Sequence, residues 1–324
     1  MRVLVTGATG FAGQHLVRLL HKEGHGVTGW KRPRTDGSSI EQYCEVESVD
    51  LTDSIAVCNS SIDYAGYDWV FHLAAQTFVP TSFAAPLETL RANVEGTVNL
   101  LEALRISKAD GLKKLVVSGS SEQYGLVHSD ELPIREVNPF RPLSPYAVSK
   151  VAQEAVALQY SRSYGLPVTM ARCFNYVGPG SSDRTAIASW CKQIALMERD
   201  GVEPGCRAEL VVGNLDSSRD FVDVRDAVSA YLLLAEKGTV GKAYNVCTGS
   251  SVKMVHVVEE LKLLSQIDFD VVVDSNLSRP SDVPVLQGCD DQMAALGWRA
   301  KIPFNTSLDD ALMYWRRKVN SNGA

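Results

Sequence analysis

Short runs of β-branched and aromatic residues alternate with stretches whose apolar side chains return every three or four positions, and this alternation governs the first 175 residues. It predicts strands over 3–6, 26–30, 44–49, 69–73, 114–118 and 167–173, and helices over 12–22, 92–105 and 146–164. Strand and helix alternating at this spacing predict a parallel sheet with helices on both faces. The fold class expected is therefore α/β, a doubly wound Rossmann sheet of about seven strands.

After Asn175 the pattern loosens. Pro179, Gly180, Ser181 and Ser182 mark a loop, followed by helices expected over 187–199, 224–236, 252–265 and 307–318 and strands over 210–212, 244–247 and 269–273. These pieces predict a smaller α/β lobe assembled discontinuously. The dinucleotide-binding lobe is expected over 1–175 with about 217–243, and the substrate lobe over about 176–216 and 244–324.

Composition narrows the classes without choosing among them. Hydrophobic residues make up 45% and charged residues 22% of the 324, which suits a large buried core. A formal net charge of -6 leaves no basic field for nucleic acid, so any phosphate must be held locally. No apolar run is long enough for a membrane span, and the opening apolar run is cut short by Thr6 and Gly7, so a cytoplasmic protein is expected. The seven cysteines and six histidines are scattered without ligand spacing, which predicts free thiols and no metal.

Candidate chemistry begins at the first turn. Gly7, Gly10 and Gly13 follow the first strand and open the first helix, with Thr9, Phe11 and Ala12 between them. One glycine makes the turn, the second lets backbone approach a pyrophosphate, the third lets helix and strand pack closely, and the helix N-terminus favours the anion. A site for NAD carries an acid about twenty residues on. Here the second strand ends in Trp30, Lys31 and Arg32, so NADP is favoured over NAD, Arg32 gripping a 2′-phosphate; the alternative is a solvated basic loop. Asp50 and Leu51 follow the third strand, where adenine is expected, and Leu73, Ala74 and Ala75 end the fourth, where small residues let backbone lie along the dinucleotide.

Tyr146 and Lys150 are four apart at the head of a predicted helix and share a face. An ammonium beside a phenol lowers its pKa from about 10 toward a useful range. Ser120 ends the fifth strand, where a doubly wound sheet places its site, and its hydroxyl can polarise a carbonyl. Glu122 beside it reads either as a base for a carbon-bound proton or as a structural or hydroxyl contact. Gln76 and Ser121, also at strand ends, are expected to meet substrate.

Taken together these motifs resemble the extended short-chain dehydrogenase/reductase family, across essentially the whole chain. The resemblance rests on Thr6-Gly-x-x-Gly-x-x-Gly13, His72-Leu-Ala-Ala75, Ser120 before Tyr124-Gly125, and the Tyr146/Lys150 pair. It implies a catalytic triad of Ser120, Tyr146 and Lys150, a nucleotide-sugar substrate and a homodimer or tetramer. The segments 172–180, 212–226, 244–249 and 278–284 resemble the GDP-sugar branch, which implies substrate contacts from Asn175, Asn214, Arg219, Arg279 and Asp282. Within that branch the loop 174–180 is similar to enzymes that reduce the C4 keto group of a GDP-4-keto-6-deoxyhexose. Glu122 occupies the position of the base in the 4,6-dehydratases that act on GDP-mannose. A nucleotide-sugar epimerase and a non-catalytic dinucleotide sensor are the further alternatives.

Overall fold

The computed structural model describes residues 1–59, 62–201, 207–277 and 283–321. Its strands are β1 (Arg2–Thr6), β2 (Gly26–Lys31), β3 (Glu45–Ser48), β4 (Trp69–His72), β5 (Lys114–Ser118), β6 (Val168–Cys173), β7 (Asn175–Val177), β8 (Ala208–Val212), β9 (Ser218–Asp223), β10 (Ala243–Val246), β11 (Ser251–Lys253), β12 (Phe269–Val273) and β13 (Val285–Leu286). The helices are α1 (Phe11–Lys22), α2 (Ser54–Val57), α3 (Val79–Ala84), α4 (Pro86–Leu90), α5 (Gly96–Ile106), α6 (Pro145–Tyr164), α7 (Ala186–Asp200), α8 (Val224–Lys237), α9 (Met254–Leu264), α10 (Asp291–Ala295) and α11 (Phe304–Ser321).

Seven strands form one sheet in the order β10-β6-β5-β4-β1-β2-β3, and every pairing in it is parallel. Successive side chains on a strand face opposite ways. Val3 and Val5 thus pack under α1 and α8 with Leu16, Val17, Leu20 and Tyr231, while Leu4 packs on the other face with Leu100, Leu101 and Leu104 of α5. Both faces are covered, so β4 and β6 are buried along their whole lengths, and their apolar runs need no polar alternation.

The second lobe has its own core. Helices α7, α9 and α11 enclose Leu210, Val212 and Phe269 of the parallel pair β8–β12. A smaller sheet runs β11-β9-β13, with β7 also paired to β9. The lobes are interleaved in sequence, and the expected boundary near 244 moves. Residues 243–246 form the edge strand β10 of the large sheet, reached from α8, which packs on that same sheet. Met293 and Trp298, far beyond that boundary, also pack into the large core.

Two helices begin differently from the apolar spacing. The stretch expected as helix over 92–105 opens with a π-helical turn, Arg91–Glu95, before α5 proper. The first residues of the helix expected over 252–265 belong instead to β11, which pairs with β9.

Candidate active site

The glycine turn joins β1 to α1 at the C-terminal edge of the sheet. Gly7 has φ +70, and a Cβ there would stand 2.8 Å from the backbone of Ala74, so this turn lies directly against the end of β4. At Gly13 a Cβ would come 2.1 Å from the Gly7 carbonyl oxygen. Gly10 is the N-cap of α1 and carries no side-chain cap, which leaves the first N–H groups of that helix for an anion. Thr9 lends its carbonyl to the Gln14 amide, and Phe11 meets His15 and Tyr176 edge-on. The loop after β7 reaches the same turn, where the His15 imidazole lies 2.9 Å from the Pro179 carbonyl.

Arg32 is exposed just past β2, with no acidic residue at that strand end. Asp50 accepts from the backbone N–H and the hydroxyl of Thr52, closing a local turn, and Leu51 is held to α5 through its carbonyl by the Asn99 amide. Leu73, Ala74 and Ala75 pass over the turn half-buried, the Ala74 N–H donating to the Thr6 hydroxyl. Gln76 is occupied within its own loop: its side chain donates to Thr89 and accepts from the Phe78 N–H.

Tyr146 and Lys150 project from the first turns of α6, which starts at the Ser144 cap with Pro145 in its first turn. Both are almost fully buried, at 7% and 2% exposure. Burial pushes the Tyr146 phenol up; hydrogen bonding with Ser120 opposes this, and the Glu122 charge reinforces it. Burial lowers Lys150 to about 8. The expected lowering of the phenol by the lysine is not seen, because the ammonium turns elsewhere. It donates to the Ser118 carbonyl and to the Gln153 amide oxygen, each at 2.8 Å.

Behind Lys150 runs a buried chain of polar groups with a fixed direction. Gln153 donates to the Thr97 hydroxyl, which itself donates to the Asn93 carbonyl in the π-helical turn. The Thr97 oxygen can then only accept from His72 Nε2, so His72 Nδ1 accepts from the Thr6 hydroxyl. His72 is held neutral by burial, its pKa lowered to about 3. Asn93 bonds the Gln76 backbone on both sides and donates to Ser149. The glycine turn, the end of β4 and helix α6 are thereby tied together.

Asn93, Thr97, Gln153 and His72 were not singled out from sequence as site residues. For Gln153 a signal lies in α6, where Tyr146, Lys150, Gln153, Glu154, Ala157 and Tyr160 share the buried face, so polar residues occupy positions that ought to be apolar.

Ser120, Ser121 and Glu122 start a 3-10 turn after β5, and the Ser120 hydroxyl accepts from the Glu122 N–H. The structure thus brings Ser120, Glu122, Tyr146 and Lys150 to one place. Asn175 begins β7, and its amide oxygen is buried without a hydrogen-bond partner among the described residues, as suits a group that receives a donor from a ligand. Arg219 is buried in β9, donating to the carbonyls of Ser218 and Val283, so at least part of its guanidinium serves the fold. Asn214 is exposed and accepts from the Asp216 N–H. Arg279 and Asp282 lie outside the described residues.

The chain is 37% identical to the GDP-6-deoxy-D-mannose reductase of Pseudomonas aeruginosa over 320 residues, 98% of each chain. It is 27% identical to the GDP-mannose 4,6-dehydratase of Yersinia enterocolitica over 343 residues, covering 93% of this chain and 90% of that one. Among solved structures, RMD from Pseudomonas aeruginosa complexed with NADPH superposes with a TM-score of 0.83 at 35% identity, covering 98% of this chain and 99% of that one. The UDP-glucose 4-epimerase of Thermotoga maritima with UDP-glucose gives a TM-score of 0.88 at 26% identity, covering 98% and 100%. Residues 3–247 match the NAD dependent epimerase/dehydratase family, and the chain belongs to it.

Proposed function

We propose that this protein is an NADP-dependent reductase that converts the C4 keto group of a GDP-4-keto-6-deoxyhexose to the alcohol, giving GDP-6-deoxy-D-mannose. The observation that carries the reading is full-length similarity to a reductase of that name, joined to a Ser120–Tyr146–Lys150 cluster at the C-terminal edge of the sheet. The residues fit a dinucleotide: Gly7 and Gly13 allow a turn too tight for any Cβ, the N-terminus of α1 is uncapped, and an arginine rather than an acid follows β2. Arg32 is the residue we assign to the 2′-phosphate, with Asp50 and Leu51 near the adenine.

A reduced nicotinamide dinucleotide supplies the hydride when bound. The chain's own residues do the rest. The Ser120 hydroxyl donates to the keto oxygen and orients it, and the Tyr146 phenol delivers a proton to that oxygen as it becomes an alkoxide. Burial keeps the phenol protonated at neutral pH, the form a reductase needs at this step. The ammonium of Lys150, anchored by Ser118 and Gln153, supplies positive charge beside the reacting centre. Asn175 is assigned to the sugar, Arg219 and Arg279 to the diphosphate, Asp282 to the ribose or base, and Asn214 to the nucleotide-sugar.

One observation favours a second reading. Glu122 stands close enough to Tyr146 for its charge to act on the phenol, which is where a dehydratase needs a base for the C5 proton. The two readings separate in two assays. A GDP-4-keto-6-deoxyhexose with NADPH should be reduced with stoichiometric loss of absorbance at 340 nm. Turnover of GDP-mannose with loss of water and no net NADPH consumption would instead establish the dehydratase.

For assembly we propose a second copy of the same chain. Leu87, Leu90, Leu143 and Val148 are exposed apolar side chains on and beside α4 and α6, and Leu90, Leu143 and Val148 share one surface depression. Sedimentation should give at least a dimer. Among the described residues no helix is long and apolar enough to cross a membrane. The thiols of Cys44, Cys58, Cys173, Cys191, Cys247 and Cys289 are free, and with them we assign the protein to the cytoplasm.

A further inference from the structure

We propose that Gln123, Glu154 and Arg172 are positioning residues for the reaction, holding Ser120 in register with Tyr146 through a single directional chain of buried hydrogen bonds. The inference rests on the reading of Ser120 as the group that orients the reacting carbonyl.

The chain starts at the backbone of Ser120, whose N–H donates to the Gln123 amide oxygen at 2.8 Å. The other end of that amide donates to Glu154 Oε2, also at 2.8 Å. Glu154 is gripped from the far side by Arg172, with Nε at 3.0 Å from Oε2 and a terminal nitrogen at 2.5 Å from Oε1. Arg172 is fixed in turn by the Tyr124 hydroxyl and the Glu136 carbonyl, each at 2.8 Å, with its guanidinium 4.6 Å from the centre of the Phe140 ring.

Direction makes this more than packing. A carboxylate only accepts and a guanidinium only donates. The Gln123 amide therefore has one allowed orientation, with its oxygen toward Ser120. The neighbouring Gly119 enforces the same geometry, since a Cβ there would stand 2.7 Å from the Gln123 amide oxygen. With its N–H held, Ser120 also accepts the Glu122 N–H on its hydroxyl oxygen, which leaves the hydroxyl proton to be aimed.

The connectivity joins the two reacting groups. Ser120 follows β5, whereas Tyr146 sits on α6. Glu154 lies eight residues along that same helix, a little over two turns of 3.6 residues, and so on the same face. Strand end and helix are thereby locked by one carboxylate that touches neither substrate nor dinucleotide in the proposed arrangement. Glu154 and Arg172 are 3% and 6% exposed. A buried ion pair of this kind adds little net stability over an apolar replacement. What it supplies is a defined geometry, and displacements of about 1 Å in a catalytic group can cost about 100-fold in rate.

The test is a set of mutant cycles on the intact enzyme, assayed with NADPH and a GDP-4-keto-6-deoxyhexose. Gln123→Glu places two carboxylates against each other, and Glu154→Gln removes the partner of Arg172. Each should lower kcat by about 10- to 100-fold, with both KM values within about 2-fold. In a Ser120→Ala background the same substitutions should cost less than about 3-fold, because the group they position is gone. Combining Gln123→Glu with Glu154→Gln restores donor–acceptor order from Ser120 to position 154, at the cost of one Arg172 N–H left facing the new amide N–H2, and should recover part of the lost kcat.

Equal losses in both backgrounds, or higher KM values at unchanged kcat, would overturn the inference. Gln123→Met, which keeps the ion pair, decides the cycle if Glu154→Gln does not fold. Failure of the underlying reading looks different: Ser120→Ala would then leave kcat unchanged, whatever the other variants do.

Discussion

The floor of the crevice in the first lobe and the face presented by the second lobe are built from the same kinds of side chain, yet they are used in opposite ways. In the first lobe, Thr6, His72, Thr97, Gln153 and Lys150 are buried and bonded to one another in sequence. In the second, Asn214 is exposed in a turn, and Arg219 spends hydrogen bonds on the carbonyls of β9 and the stretch before β13. Reacting groups gain most from being fixed before the ligand arrives. The second-lobe groups proposed to meet the nucleotide differ among themselves: Asn214 is exposed, whereas Arg219 is buried and already bonded within the fold.

Substitutions can break this contrast at either end. The largest effect is expected from Tyr146→Phe, which removes the proton donor and leaves the ring. Turnover should fall by about 10²- to 10⁴-fold while dinucleotide affinity, read by fluorescence titration, changes little. Unchanged turnover would instead raise the possibility of a sensor on the same fold. Gly13→Val comes next. Its side chain would collide with the Gly7 carbonyl, so dinucleotide affinity should drop by about 100-fold, with a loss of about 1–3 kcal/mol in stability.

In the second lobe, Arg219→Met strands the Val283 carbonyl and should reduce unfolding free energy by about 1–3 kcal/mol in urea titrations. An unmoved midpoint would mean that the guanidinium serves ligand alone. At neutral pH the smallest effect is that of His72, which develops only as the pH falls. The native imidazole stays neutral down to about pH 3, whereas an unfolded one takes up a proton near 6.5. The unfolded state therefore binds more protons in that window, and stability falls with falling pH from 6.5 toward 3, by at most about 1.4 kcal/mol per unit from this group. His72→Asn should flatten the dependence of Tm on pH between 6.5 and 4 relative to the parent protein.

The two regions also differed in how far sequence revealed them. The first six strands of the large sheet and the glycine turn follow from β-branched runs and from glycine spacing, because parallel strands covered on both faces need continuous apolar residues. Strand β9 does not advertise itself. Its sequence Ser-Arg-Asp-Phe-Val-Asp is polar, yet Asp220 and Asp223 are buried. Asp220 accepts from the backbone of Thr248, Gly249 and Gly288, and Asp223 from Arg225 and Ser307. Hydropathy scores a carboxylate as exposed and cannot see donors that arrive from distant segments. The same blindness hid Gln153 and Glu154 on α6, although the Tyr146/Lys150 spacing on that helix was plain. The π-helical turn at Arg91–Glu95 likewise has no apolar signature of its own.

The position of β10 has a consequence for how the protein is made. The strand that covers β6 is synthesised only after β7, α7, β8, β9 and α8 have emerged. A nascent chain that has reached the end of α7 therefore carries six strands of a parallel sheet with an open, unpaired margin along β6. An unpaired margin of that kind is a template for wrong association. Ribosome-bound intermediates of intermediate length should be the species most in need of a chaperone, and truncation between α8 and β10 should yield aggregates rather than a free dinucleotide-binding half.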